Sequence, residues 1–236
     1  MRAALRHWHA APVLALVIAL ALALFMPALA LAHDVAEGDK AFVLSVDGPA
    51  IFPFMYLGAK HMVTGYDHIA FLVGVVFFLS RLRDVAIYVS LFTLGHSLTL
   101  IGGVLLNTGA NAFVIDAIIG LSVVYKGVEN IGGFRRIGWN VDTRLAVLVF
   151  GLFHGMGLAT KVRDLGVSPN GLLANLLAFN VGVELGQVLV LALVVSLFAA
   201  WRARPSFTRY AFAANVALIG VGLVLTAIQI EGFLAS

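Results

Sequence analysis

Apolar residues form six long runs after residue 50, and polar residues are concentrated in the short connections between them. An α-helix rises about 1.5 Å per residue and the hydrocarbon core of a bilayer is about 30 Å thick, so one crossing needs roughly 20 apolar residues. The pattern predicts an all-α polytopic membrane protein with six transmembrane helices. The predicted spans are residues 54–80, 85–106, 112–131, 144–160, 171–200 and 210–231.

The first 32 residues have the three parts of a cleavable signal peptide. Arg2 and Arg6 precede an apolar run over residues 11–25, and the small-residue pattern Ala30-Leu31-Ala32 follows. A basic head, an apolar middle and a site of this kind are typical of secreted and membrane-inserted chains. We therefore predict cleavage after Ala32, with an uncleaved first membrane helix as the alternative.

Cleavage divides the chain into three parts. They are a signal peptide (1–32), a polar external segment (33–53) and a six-helix transmembrane domain (54–236). The external segment then begins at His33, whose free amine and ring are together able to chelate a metal ion.

Basic residues are distributed unevenly between the two sides of the predicted bundle. With residue 33 outside, eight lie in the inner loops or at their edges (Arg81, Arg83, Arg135, Arg136, Arg144, Arg202, Arg204, Arg209), and four lie outside (Lys40, Lys60, Lys161, Arg163). Lys and Arg accumulate on the cytoplasmic side of membrane proteins. The bias predicts the bacterial plasma (inner) membrane, with the mature N- and C-termini both outside.

Composition agrees with this class. Hydrophobic residues make up 61% of the chain and charged residues 11%, and the mean hydropathy is +1.02. Soluble domains carry about 25% charged residues, so a water-soluble enzyme, a disordered protein and a nucleic-acid binder are excluded, and the expected partner is the lipid bilayer. The chain has no cysteine, which excludes disulfides and thiolate metal sites.

Several ionisable residues lie inside the predicted spans, where a charged group costs about 2.5–3.5 kcal/mol at the bilayer centre. Neutral imidazole nitrogens bind divalent metals and carboxylates offset their charge. Groups from different helices at similar depth therefore predict a metal or proton pathway. The candidate metal ligands are His61, Asp67, His68, His96, His154, Asn180 and Glu184, together with His33 at the mature N-terminus.

The spacing of the first two candidates leaves two arrangements open. His61 and His68 are seven residues apart, so they share a face of a straight helix but are separated by about 10.5 Å along its axis. They would then be successive stations for an ion. A break in the helix at Gly65 would bring them closer together.

Five sequence blocks in these spans resemble those of a known family. They are His61 followed by Asp67-His68, FTLGHSLT (92–99), YKGVEN (125–130), FGLFHGMGLA (150–159) and FNVGVELGQ (179–187). Together they resemble the HupE/UreJ family of hydrogenase and urease accessory membrane proteins, regarded as nickel permeases. The resemblance implies that the metal is nickel or cobalt and that a metalloenzyme maturation system is a partner.

The sequence is also distantly similar to the nickel/cobalt transporters. That family has a His, four residues and Asp-His in one membrane helix, and Leu-Gly-His-Ser in the next. Here Leu94-Gly95-His96-Ser97 matches the second block, whereas five residues separate His61 from Asp67. The similarity implies that Asp67, His68 and His96 are ligands, while the extra residue rotates His61 by about 100°.

Short internal matches predict an inverted three-plus-three repeat. Gly58-x-x-His61 is similar to Gly151-x-x-His154, FTLG (92–95) to FNVG (179–182), and AIIG (117–120) to ALIG (217–220). In transporters such repeats place the substrate site near the bilayer midplane.

These observations favour a permease for a divalent transition metal, without enzymatic activity or a resident cofactor. No G-x-x-x-x-G-K-[ST] motif for nucleotide binding occurs. The alternative is a non-transporting metal-handling accessory protein or a subunit of a larger membrane complex, with copper among the metals considered. A membrane hydrolase with Glu184 as base is third, because no H-E-x-x-H motif occurs.

Overall fold

The computed structural model describes residues 37–236. The predicted signal peptide and His33 lie outside these residues. The regular elements of the described range are helices: α1 (Glu37–Ser45), α2 (Ile51–Thr64), α3 (Tyr66–Val76), α4 (Leu82–Leu105), α5 (Ala112–Asn130), α6 (Gly133–Arg136), α7 (Thr143–Asp164), α8 (Leu172–Arg202) and α9 (Pro205–Ala235).

Within residues 37–236, four helices are long and apolar enough to cross a membrane: α4, α7, α8 and α9. They coincide with the second, fourth, fifth and sixth predicted spans. Helix α5, at the third, has 19 residues but carries Asp116, Lys126 and Glu129. Many large apolar side chains point outward, including Leu94, Leu98 and Leu193, as expected for a protein surface in contact with lipid.

The first predicted span is two helices and not one continuous helix over residues 54–80. Gly65 separates α2 from α3 with an extended backbone (φ −74°, ψ 93°), although its N–H still donates to the carbonyl of His61 at 2.8 Å. A Cβ at this position would lie 2.9 Å from that carbonyl oxygen and 3.1 Å from Nδ1 of His68. The break at Gly65 is therefore the arrangement that the structure adopts.

The helices pack mainly as three pairs, α2 with α8, α4 with α7, and α5 with α9. Glycines allow the backbones of each pair to touch, as is usual between membrane helices. A Cβ at Gly182 of α8 would lie 1.9 Å from the carbonyl oxygen of Met55, and one at Gly151 would lie 2.4 Å from that of Phe92. These pairs place the polar side chains of the bundle at fixed depths.

The segment between α1 and α2 is fastened to the start of α8. The buried Asn175 amide donates to the carbonyl of Gly48 at 3.0 Å, and its oxygen accepts from the N–H of Ala50 at 2.7 Å. Helix α1 is fastened to α2 by the ion pair between Asp39 and Lys60 at 2.7 Å. The predicted external segment thus contains a helix that packs on the bundle end where α2 begins.

Candidate metal centre

Four histidines from four helices meet inside the bundle. They are His61 on α2, His68 on α3, His96 on α4 and His154 on α7. The ring centroid of His68 lies 5.0 Å from that of His61, 4.9 Å from that of His154 and 5.7 Å from that of His96. His68, His96 and His154 are at most 3% exposed. The break at Gly65 is what brings His61 and His68 together, since it turns α3 away from the axis of α2.

Among the residues that the structure describes, two groups of three have the spacing of metal ligands. His61, His68 and His96 form one, and Asp67, His68 and His154 form the other; in each, one potential ligand atom per residue lies within 4.8 Å of the others. Nitrogen ligands lie about 2.0–2.1 Å from an ion such as zinc, so two ligands on opposite sides of one ion are about 4 Å apart. His68 belongs to both groups and is the centre of the cluster.

Five ring nitrogens of these histidines have no hydrogen-bond partner among residues 37–236. Within the described residues, Nε2 of His61, His68 and His154 and both ring nitrogens of His96 are buried without a hydrogen bond. Buried polar atoms are almost always hydrogen-bonded, so several unpaired nitrogens in one place require an explanation. A divalent ion that accepts their lone pairs supplies one.

Hydrogen bonds orient two of the rings. Nδ1 of His154 lies 2.8 Å from the carbonyl oxygen of Phe150, which can only accept, so Nδ1 carries the proton and Nε2 has the free lone pair. Nδ1 of His68 lies 3.0 Å from the carboxylate of Asp67, so Nδ1 of this ring also carries the proton and Nε2 has the free lone pair. A carboxylate or carbonyl behind a ligating histidine is the usual outer partner at metal sites.

Two further predicted ligands, Asn180 and Glu184, lie on α8 and have different surroundings. Asn180 is buried, but its amide oxygen accepts from the hydroxyl of Ser97 at 2.8 Å and its NH₂ donates to Leu176 at 3.0 Å, so it links α8 to α4. Glu184 is exposed on the outside of α8. The structure does not bring Glu184 to the histidines, because Gly182, Val183, Gly186 and Gln187 are the residues that α8 turns inward.

Three phenylalanines form a layer beside the histidines that the sequence interpretation missed. Ring centroids lie 5.4 Å apart for Phe71 and Phe92, and 5.8 Å apart for Phe71 and Phe150. Phe92 also packs against His154 at 5.0 Å. The signal was the spacing, since each phenylalanine lies three or four residues from a histidine of the cluster, on the same face of its helix.

This aromatic layer, Phe71, Phe92 and Phe150, lies toward one end of the bundle. Helix α3 ends there, and α4 and α7 begin there. The predicted cytoplasmic loops, which carry Arg81 and Arg83, are at the same end. The layer therefore separates the histidine cluster from the end predicted to face the cytoplasm.

A second polar network lies beyond the aromatic layer. The ammonium group of Lys126 is 2.5 Å from the carboxylate of Glu129, which also accepts a hydrogen bond from the hydroxyl of Thr143. The side chain of Asn130 donates to the carbonyl of Gly74 at 2.9 Å and to Asn215 at 2.8 Å. The ion pair agrees with the three-residue spacing of Lys126 and Glu129 on one helix.

Comparison with known proteins adds one finding. The profile of the HupE / UreJ protein family matches residues 37–236, which include every helix described above and the four histidines of the cluster. Comparisons with curated proteins and with solved structures give no match. The family is associated with nickel or cobalt, in an accessory or a transport role. Since the match extends over nearly all of the predicted mature chain, this protein belongs to the HupE/UreJ family.

Proposed function

We propose that this protein is a membrane permease for a divalent transition metal, nickel or cobalt, which enters as substrate and is passed between histidines. The observation that carries the proposal is the cluster of four imidazoles from four helices, each with at least one buried ring nitrogen that has no partner among the described residues. The proposal places six spans in the inner membrane, with the mature termini outside. It involves transport and no chemical conversion.

The proposed route begins outside at His33 and leads to His61, then to His68 with Asp67 behind it. His96 and His154 receive the ion next, and Glu129 lies near its exit. Conduction requires binding strong enough to attract the ion and weak enough to release it. Two overlapping groups that share His68 suit this requirement, because the shared ligand can remain bound while the others exchange.

An inverted repeat is part of the proposal, and the helix contacts support it. A Cβ at Gly58 would meet the carbonyl of Phe179, and one at Gly151 would meet that of Phe92. The partner contacts correspond as well, since Gly182 approaches Met55 and Gly95 approaches Leu148. Met55 precedes Gly58 by three residues, as Leu148 precedes Gly151. These matching contacts support an arrangement in which the pair α2–α8 is the counterpart of α4–α7, as a repeat that relates the two halves requires.

Transport across a sealed bilayer tests the proposal. We expect purified protein in liposomes to give saturable Ni²⁺ entry, detected with a metal-sensitive dye inside, and we expect the double variant His68→Ala, His96→Ala to lose it. Ser196→Ala is the control, because this exposed hydroxyl on α8 bonds only to its own helix. Equal uptake by the double variant and the wild type would contradict the proposal.

The aromatic layer leads to a second prediction. Phe71, Phe92 and Phe150 pack between the cluster and the end predicted to face the cytoplasm, and hydrophobic constrictions gate ion passage. We expect Phe92→Ala to raise the passive leak of Ni²⁺ down its gradient several-fold. Stopped-flow measurement of dye quenching in the same liposomes checks this.

Phe77→Ala is the matched control for the leak. Phe77 is also buried, at 3% exposure, but it packs with Phe198, Trp201 and Phe207 away from the histidines. The variant Phe77→Ala therefore loses a similar buried apolar side chain and leaves the aromatic layer unchanged. A leak that is the same in the two variants would mean that the layer is ordinary core packing.

The same layer favours a second candidate function, that of a metal-handling accessory protein in a metalloenzyme maturation system. A histidine cluster closed toward the cytoplasm is suited to holding an ion as well as to passing it on. Copper is also considered as the metal in this case, because affinity for nitrogen ligands peaks at copper. Tight binding of one metal equivalent with no entry into liposomes would favour this candidate.

A further inference from the structure

Glu184 is a carboxylate on the outer surface of α8. Its neighbours on that surface are apolar and exposed, with Val181 at 49%, Leu185 at 55% and Val188 at 64%. Glu184 itself is exposed and makes no hydrogen bond or ion pair with any of residues 37–236. An ionisable side chain that points away from its own bundle needs a partner from elsewhere.

Hydrogen bonds to α4 fix the depth of this carboxylate. Gln187 accepts from the hydroxyl of Thr93 at 2.8 Å, and Asn180 accepts from that of Ser97 at 2.8 Å. Glu184 lies between these two contacts on α8, so it is level with the middle of the 24-residue helix α4. With the membrane placement of the proposed function, that depth is the centre of the bilayer, where water does not solvate the group and lipid offers it no hydrogen bond.

We propose that this face of α8 is the contact surface for a second copy of the chain, with the two Glu184 carboxyl groups hydrogen-bonded to each other. A protonated carboxyl group both donates and accepts, so it is complementary to its own copy across a two-fold axis. An isologous interface needs such self-complementarity. The partner's own Glu184 is then sufficient to complete the hydrogen bonds.

The apolar part of the face suits the same partner. Exposed aliphatic residues recur at every fourth position along α8, in the order Leu177, Val181, Leu185, Leu189 and Leu193. Side chains at this spacing form a continuous ridge that fits the groove beside the same ridge on another helix. Val181 and Leu185 of the ridge precede and follow Glu184 along α8, so the carboxyl group lies beside the ridge and packing of the two ridges would bring the two carboxyl groups close together.

The absence of cysteine from the chain allows a direct test by disulfide cross-linking. We expect Val188→Cys, one turn from Glu184, to give a covalent dimer when protein in liposomes is oxidised at low density. Leu223→Cys is the control, because it is 52% exposed in the middle of α9, on another face. Equal cross-linking at the two positions, or none at Val188→Cys, overturns the proposal.

Two substitutions at Glu184 isolate the hydrogen bond. Glu184→Leu should weaken dimerisation about threefold to thirtyfold, the range for polar contacts between membrane helices, whereas Glu184→Gln keeps a donor and an acceptor and should retain most of it. Both variants carry Val188→Cys, and circular dichroism confirms that they fold. Undiminished cross-linking of Glu184→Leu overturns the proposal.

Cross-linking in native membranes shows whether the partner is a second copy of the chain or another protein. A cross-link from Val188→Cys to a different protein there, with only monomer in pure liposomes, would assign the face to another chain and not to a second copy. The assay contains no metal, so its outcome is independent of the transport measurement.

Discussion

His68→Ala is expected to lower the affinity for Ni²⁺ more than any other single substitution in the histidine cluster. His68 is the only residue shared by the two ligand groups of the described chain, whereas His96 and His154 each belong to one. Its loss therefore leaves both groups with only two of their three donors. We expect the affinity for Ni²⁺ to fall about 100-fold or more for His68→Ala and about tenfold for His96→Ala or His154→Ala. For comparison, loss of an outer partner of a ligand lowers metal affinity by about 10- to 100-fold.

Isothermal titration calorimetry with Ni²⁺ measures the affinity of each purified variant and so tests this ranking. Tyr125→Phe is the control, because the Tyr125 hydroxyl is also buried without a partner in the described part of the chain but belongs to neither group. It should bind Ni²⁺ as the wild type does. If His154→Ala costs as much as His68→Ala, the two groups act as one site. If His68→Ala binds as the wild type does, the cluster is not the site.

The depth of a residue in its apolar run predicted most of the cluster. His68, His96 and His154 lie near the middle of their runs, and the structure brings all three together. Depth is readable from sequence because a helix rises by a fixed distance per residue. The family resemblance is confirmed, since the family match covers residues 37–236 and includes the blocks that carry the resemblance.

Direction around the helix axis was not readable in the same way. Glu184 lies at the depth of His96 but points outward, because the packing of Gly182 and Gly186 against α2 decides which side of α8 is buried. Both sides of a membrane helix are apolar, so the contrast that marks the buried side of a soluble helix is missing. The partner of each helix is therefore needed before its polar residues can be placed.

The local break at Gly65 was an open alternative for a related reason. A glycine within an apolar run is compatible with a continuous helix, with close packing or with a break. The structure has the break because Asp67 then accepts from the N–H of His68 at 2.9 Å and lies beside its ring. The hydrogen bond to Asp67 replaces the one that the N–H of His68 would make within a straight helix. The break also places the ring centroids of His61 and His68 5.0 Å apart.

Gly182→Ala is expected to have the largest effect on stability. A Cβ at this position would lie 1.9 Å from the carbonyl oxygen of Met55, 2.7 Å from its carbonyl carbon and 2.9 Å from the nitrogen of Ala59. All three are backbone atoms, so no rotamer change relieves the clash and α2 must move away from α8. Overpacking of this kind costs about 1–3 kcal/mol and sometimes more. Thermal unfolding in detergent, followed by circular dichroism, measures the loss.

Gly102→Ala is the matched control, because a Cβ on this glycine of α4 would meet nothing within 4 Å. Alanine has the higher helix propensity, so this variant should unfold at the wild-type temperature or above. Helix α2 carries His61, so Gly182→Ala should also weaken Ni²⁺ binding, which Gly102→Ala should leave unchanged. If the two variants were equally stable, the close contact between α2 and α8 would not hold that side of the histidine cluster in place, and the helices would be free to adjust. If only Gly182→Ala is destabilised, the packing of α2 on α8 is what fixes the position of His61 beside His68.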